Sequence, residues 1–164
     1  MTTERLSLLN RIVDNYSDQE KENLEIYYLE GLMAKIAENQ IDGNDNLIEK
    51  IDSIIERLPR KTNTNKLVYD RKLLNSISNL KSYIKEKYNF VPKGYYKKTY
   101  LTIGIAMGPT FGLLFGALLG KIGIGLPLGI SIGLPLGIPI GLAIGIAIGT
   151  NLDKKAIIEK RVIN

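Results

Sequence analysis

The chain has 164 residues, 22 of them basic and 17 acidic, with no histidine and no cysteine. The length fits one ordinary domain, and the missing residue types exclude disulfides, thiolate chemistry and histidine-based metal or acid–base sites. The net charge of +5 is unevenly placed: residues 1–58 carry six basic and thirteen acidic side chains, residues 59–99 carry eleven and two, and Lys121 is the only charge between Tyr100 and Thr150. That is a basic collar beside an apolar segment, as the positive-inside rule predicts for a membrane span.

The opening residues, MTTERLSLLNRIVDNYSDQE, lack the apolar core of a signal peptide, which places the N-terminal part in the cytosol by expectation. Residues 1–92 read as a bundle of short amphipathic helices. The first covers about residues 3–15, with Leu6, Leu9 and Val13 on one face. Ser17 and Glu20 have the spacing of a capping box. They open a second helix that runs to about Asn39, with Leu24, Tyr28, Leu32 and Ile36 in an i, i+4 row.

Asp42-Gly43-Asn44-Asp45-Asn46 breaks that helix. Asn46 with Glu49 is the expected cap of the next one, whose stripe is Leu47, Ile51, Ile54 and Leu58, and Pro59 stops it. After a polar linker, Arg60 to Asn65, a long helix carries Leu73, Ile77, Leu80, Ile84 and Tyr88 on one side, and Pro92 and Gly94 are its expected end. The core of such a bundle is thin at this length, so docking on a membrane or self-association is expected to help it.

From there the chain is governed by a repeat. Glycines stand at Gly104, Gly108, Gly112, Gly116 and Gly120, and again at Gly125, Gly129, Gly133, Gly137, Gly141, Gly145 and Gly149. The step from 120 to 125 breaks the phase and marks residues 121–124 as a hairpin tip. Arms of about 100–120 and 125–149 can each cross ~30 Å of hydrocarbon as a helix, the second being slightly long and expected to tilt or run past the interface. Between lipid-facing helices, bare glycine faces let the backbones approach closely enough for dispersion and Cα–H···O contacts to hold them. The number of steps exceeds what one partner helix needs, which suggests a homo-oligomer of packed hairpins.

A strand competes for residues 125–149, because every even position there is Leu or Ile. Twenty-five residues of strand would span ~80 Å, however, against about 9–11 residues for a membrane strand. Pro127, Pro135 and Pro139 would each remove a ladder donor. Prolines cost ~3 kcal/mol in a helix interior in water but are better tolerated within membranes. The expected fold is therefore all-α: an amphipathic helical domain at 1–92, a collar and two-helix transmembrane hairpin at 93–150, and a basic tail at 151–164.

These phased glycines resemble the glycine-zipper membrane proteins of bacteria. The longer frame, from Val91-Pro92-Lys93-Gly94-Tyr95-Tyr96 through the repeat to Gly149-Thr150-Asn151-Leu152-Asp153-Lys154-Lys155-Ala156, is similar to two-span bacterial membrane proteins without an established activity. The resemblance implies an inner-membrane, two-span topology and nothing catalytic.

Lysines Lys93, Lys97 and Lys98 precede the first arm, and Lys154 and Lys155 follow the second, so both termini are expected in the cytosol. Tyr95, Tyr96 and Tyr100 are candidate headgroup-level anchors, and the collar lysines are candidates for anionic lipid. Tyrosines among lysines could also take an oligonucleotide, but no groove or motif supports that. Asp42–Asn46 starts like a calcium loop, yet Leu47 and Ser53 occupy the positions that need Gly and Glu. Gly120-Lys121 fails as a P-loop, with Phe115 and Ile122 at required positions.

No cofactor, metal or enzyme chemistry is expected. The arms hold only Thr102, Thr110 and Ser131 as polar side chains, too few for a coupled transporter. Two readings follow: a self-associating membrane protein forming a pore or a membrane-perturbing assembly, or a membrane-anchored adaptor whose acidic N-terminal region recruits a protein. An exported zipper toxin is a third, weaker one.

Overall fold

The computed structural model describes residues 2–61, 70–119 and 126–163. Seven helices dominate them: α1 Thr2–Val13, α2 Asp18–Asn23, α3 Ile26–Ala37, α4 Asp45–Glu56, α5 Arg71–Tyr88, α6 Tyr95–Leu119 and α7 Leu126–Ile158. Two short strands, β1 Val91–Pro92 and β2 Val162–Ile163, pair in parallel, with Val91 opposite Val162 and Pro92 opposite Ile163. The chain forms two compact units, residues 1–92 with 162–164, and residues 93–161. The second is thus an insertion whose two ends leave and rejoin the first beside the paired strands.

In the first unit the stripes fixed by helical spacing form the core. Leu9, Val13, Leu24, Tyr28, Leu32, Ile36, Leu47, Ile51, Ile54, Leu58, Leu73, Ile77, Leu80 and Ile84 belong to one buried cluster, while Leu6 and Tyr88 pack at its edge. Ser17 and Glu20 close a capping box. The helix expected to follow it is interrupted at Glu25, which takes a left-handed conformation (φ 55°) and divides α2 from α3. The reason lies on either side: Leu24 and Ile26 are both fully buried, and residues two apart point to different faces of an unbroken helix.

Two boundaries also differ from expectation. Asn44, rather than Asn46, caps α4 by accepting from the Leu47 N–H at 2.9 Å. Left-handed Asn89 (φ 59°), rather than Pro92 and Gly94, ends α5, a conformation that Asn tolerates. Of the expected linker, residues 62–65 lie outside the described residues. Around the core, Arg5 grips Asp52 through two hydrogen bonds of 2.6 and 2.7 Å and ties α1 to α4. Lys81 reaches Glu25 at the α2–α3 break at 2.6 Å. Ile163, from the far end of the chain, joins the same core and is 1 % exposed.

Candidate functional site

The second unit is built from α6 and α7, which lie against one another by their glycines. A methyl placed on Gly108 would stand 2.7 Å from the Gly137 carbonyl oxygen, and one on Gly112 would fall 3.0 Å from the Gly133 carbonyl carbon. Gly104 meets the carbonyl oxygen of Gly141. The same seam continues to the helix ends, with Gly133 against Gly116, Gly145 against Tyr100, and Gly149 against the backbone of Tyr96 and Lys97. At every one of these positions the opposing atoms are backbone, which no rotamer can move aside. Gly129 lies in α7, whereas Gly120, Gly125 and the tip at Lys121 lie outside the described residues.

The helical period settles how the Leu/Ile alternation of residues 126–149 is used. α7 runs unbroken through Pro135 and Pro139, and α6 through Pro109. With glycine turned inward, the large side chains turn out. Phe115 is 63 % exposed and Ile144 is 55 %, whereas side chains of this kind are the core of the first unit. A contiguous apolar surface of this extent marks an interaction or membrane surface rather than ordinary solvent-facing protein. Two segments, Tyr95–Leu118 and Ile130–Ile158, are long and apolar enough to cross a membrane. As helices, α6 and α7 measure about 37 and 50 Å, so each outruns ~30 Å of hydrocarbon.

The extra length carries the collar. Lys93 precedes α6; Tyr95, Tyr96, Lys97, Lys98 and Tyr100 occupy its first turns; Lys154 and Lys155 lie near the end of α7. The five lysines are exposed and the tyrosines are half-buried, with the rings of Tyr95 and Tyr96 edge to face at 5.3 Å. Within the collar stands one acidic group that sequence reasoning passed over. The Asp153 carboxylate, on α7, accepts the backbone N–H groups of Tyr96 and Lys97, one on each oxygen, at 3.0 Å. These are donors that the start of a helix leaves without an intrahelical partner, and the negative charge suits the positive end of the α6 dipole. Gly94 (φ +71°) leads the chain into this start. The hydroxyls of Thr99 and Thr102 donate to the carbonyls of Tyr95 and Lys98, so two of the few polar groups on α6 are satisfied locally.

One flank of the glycine seam is an apolar groove of about 650 Å³. Its floor is Gly104, Gly141 and Gly145, and its walls are the residues that precede successive glycines: Ile103, Met107, Phe111 and Phe115 on α6, and Ile140, Ile144 and Ile148 on α7. That rule was available in the sequence. On α6 the residue before each glycine is Ile, Met or Phe, while the residue after it is Ile105, Pro109, Leu113 or Ala117.

The first unit offers a groove of about 390 Å³ beside the Arg5–Asp52 pair, lined also by Leu8, Ile12 and Arg60. Among the described residues no three carboxylates come together as a metal site. No protein-family model, curated protein or solved structure matches the chain.

Proposed function

We propose that α6 and α7 form a glycine-zipper hairpin that crosses a bacterial inner membrane, holding the helical unit of residues 1–92 in the cytosol as an adaptor. The observation that carries the reading is the inversion between units: Leu and Ile form the core of one and, with Phe111 and Phe115, the exposed surface of the other. Pairing of β1 with β2 adds support for the topology, because it requires both ends of the hairpin to emerge on the same side. The collar lysines favour that side being the cytosol. The net charge of −7 over residues 1–58 makes a basic protein surface the natural partner.

A chain without cysteine allows a clean test. In sealed inverted vesicles, Lys98→Cys and Lys160→Cys should react with a membrane-impermeant maleimide, and Ile138→Cys should not. Labelling of Ile138→Cys under those conditions would refute the hairpin. Exchanging the hairpin for an unrelated two-span anchor should preserve the adaptor's partner binding.

Self-association into a pore is the second reading. Its first motive, the surplus of glycines, is weakened by their use within one hairpin. What favours it now is the outward Leu and Ile surface. Discrete conductance steps in a planar bilayer, lost in a Gly133→Leu/Gly137→Leu variant, would make it the better reading.

A further inference from the structure

The apolar groove and the collar share one end of the hairpin. Tyr100 lies at the collar end of the groove, and Lys97 stands one helical turn before it on α6. On the other wall Ile148 is the last groove residue, and Lys155 follows two turns later on the same face of α7. Both lysines are exposed, and the only ion pair of Lys155 among the described residues is a 4.0 Å contact with Glu159, too long and open to hold it firmly. The α6 N–H groups of residues 96 and 97 are already taken by Asp153. An anion arriving at this end would therefore be met by ammonium groups, not by the helix terminus.

We infer that the groove is a binding site for one anionic phospholipid, its phosphate between Lys97 and Lys155 and an acyl chain lying along the glycine floor between the walls of Phe111 and Ile144. The inference rests on the membrane reading above. Charge selects the occupant: a zwitterionic lipid fills the groove equally well but brings no net charge to the two lysines. The volume of about 650 Å³ falls within the ~300–1,000 Å³ of ligand sites that enclose most of their ligand. Between Tyr100 and Phe115 the groove runs about 22 Å along α6 at ~1.5 Å per residue, more than the ~15 Å of one leaflet's hydrocarbon. The floor of Gly104, Gly141 and Gly145 carries no side chains, so an acyl chain can settle between the walls.

The absence of tryptophan makes the test direct. The full chain carrying Phe111→Trp, or Leu113→Trp at the same depth on the opposite flank, is reconstituted in phosphatidylcholine vesicles with rising fractions of brominated lipid. Brominated phosphatidylglycerol should quench Phe111→Trp at a fraction up to about 25-fold lower than brominated phosphatidylcholine, the two lysines contributing about fivefold each. Leu113→Trp should show no such preference, and Lys97→Gln/Lys155→Gln should abolish it at residue 111. Native mass spectrometry of the unsubstituted chain should show one anionic phospholipid retained, and the double glutamine variant should lose it. Equal preference at 111 and 113, or a preference that survives the double variant, would overturn the site and leave the membrane hairpin standing. Absence of quenching by either lipid at either position would overturn the membrane reading as well.

Discussion

Replacing Gly137 with alanine sets two known effects against each other, and the seam geometry decides the sign. In an ordinary helix the change stabilises by roughly 0.5–1 kcal/mol, because glycine loses more backbone entropy on folding. At Gly137 the new methyl would lie 2.7 Å from both the Cα and the N of Gly112, and against the Gly108 carbonyl oxygen. Carbon atoms sit comfortably at about 3.5–4.0 Å, so α6 and α7 must part by about 1 Å at their point of contact. Overpacking of that kind costs about 1–3 kcal/mol, and the separation also weakens Cα–H···O contacts along the seam. The balance is a net loss of about 1–2 kcal/mol. In mixed micelles Gly137→Ala should unfold at a lower mole fraction of SDS than the parent, followed by far-UV circular dichroism. Spin labels on Ala106→Cys and Ala143→Cys, both on exposed positions, should report a longer separation. Equal or greater resistance to SDS, with the label distance unchanged, would refute the account of the seam.

Asp153→Ala frees two N–H groups at the start of α6; a lost cap of this type costs about 1 kcal/mol. Amide exchange at residues 96 and 97 should quicken, and unchanged protection there would remove the cap from the argument. Ile163→Ala empties a site in the first unit's core, at about 2–5 kcal/mol, and should lower that unit's stability to urea; an unaltered midpoint would mean that β2 does not dock. Glu20 is held below its ordinary value of 4.5, first by the hydrogen bond from Lys61 and then by the Ser17 N–H. A lowered carboxylate contributes fully above its unfolded value and loses that contribution as pH falls through the lower folded one. Glu20→Gln should therefore flatten the acid limb of stability against pH below 4.5, and an identical slope in parent and variant would count against it. Tyr28 is buried with its hydroxyl unpartnered among the described residues, and burial pushes that phenol well above its ordinary range. Tyr28→Phe should leave stability equal or raise it by up to about 1–3 kcal/mol; a clear loss would reveal a partner for the hydroxyl.

What was legible in the sequence was whatever one helix determines by itself. The rows Leu47–Leu58 and Leu73–Ile84 lie in the core because an i, i+4 spacing defines a face without reference to anything distant. The glycine rows were visible for the same reason. Their partner was not, because periodicity shows that a face is bare and not what it meets. Once the tip is placed at residues 121–124, the register follows: Gly104 with Gly141, Gly108 with Gly137 and Gly112 with Gly133 are all centred between residues 122 and 123. Asp153 and Ile163 escaped because each acts across more than fifty residues. The Glu25 break escaped because a buried Leu24 and a buried Ile26 conflict only when both are known to face the same core.

The parallel pairing of β1 with β2 also bears on the order in which the protein can be made. Parallel neighbours need a long crossover between them, and here the crossover is the whole of residues 93–161. During synthesis the first 92 residues emerge with β1 unpaired and with no Ile163 in their core. Both are supplied only after α6 and α7 have been delivered and the chain has returned. The first unit therefore completes itself last, and a chain whose α7 failed to come back would be left with an open strand edge and an unfilled core. Such a product has the exposed edge and apolar surface that chaperones recognise, so the fold itself marks a chain whose end has not returned.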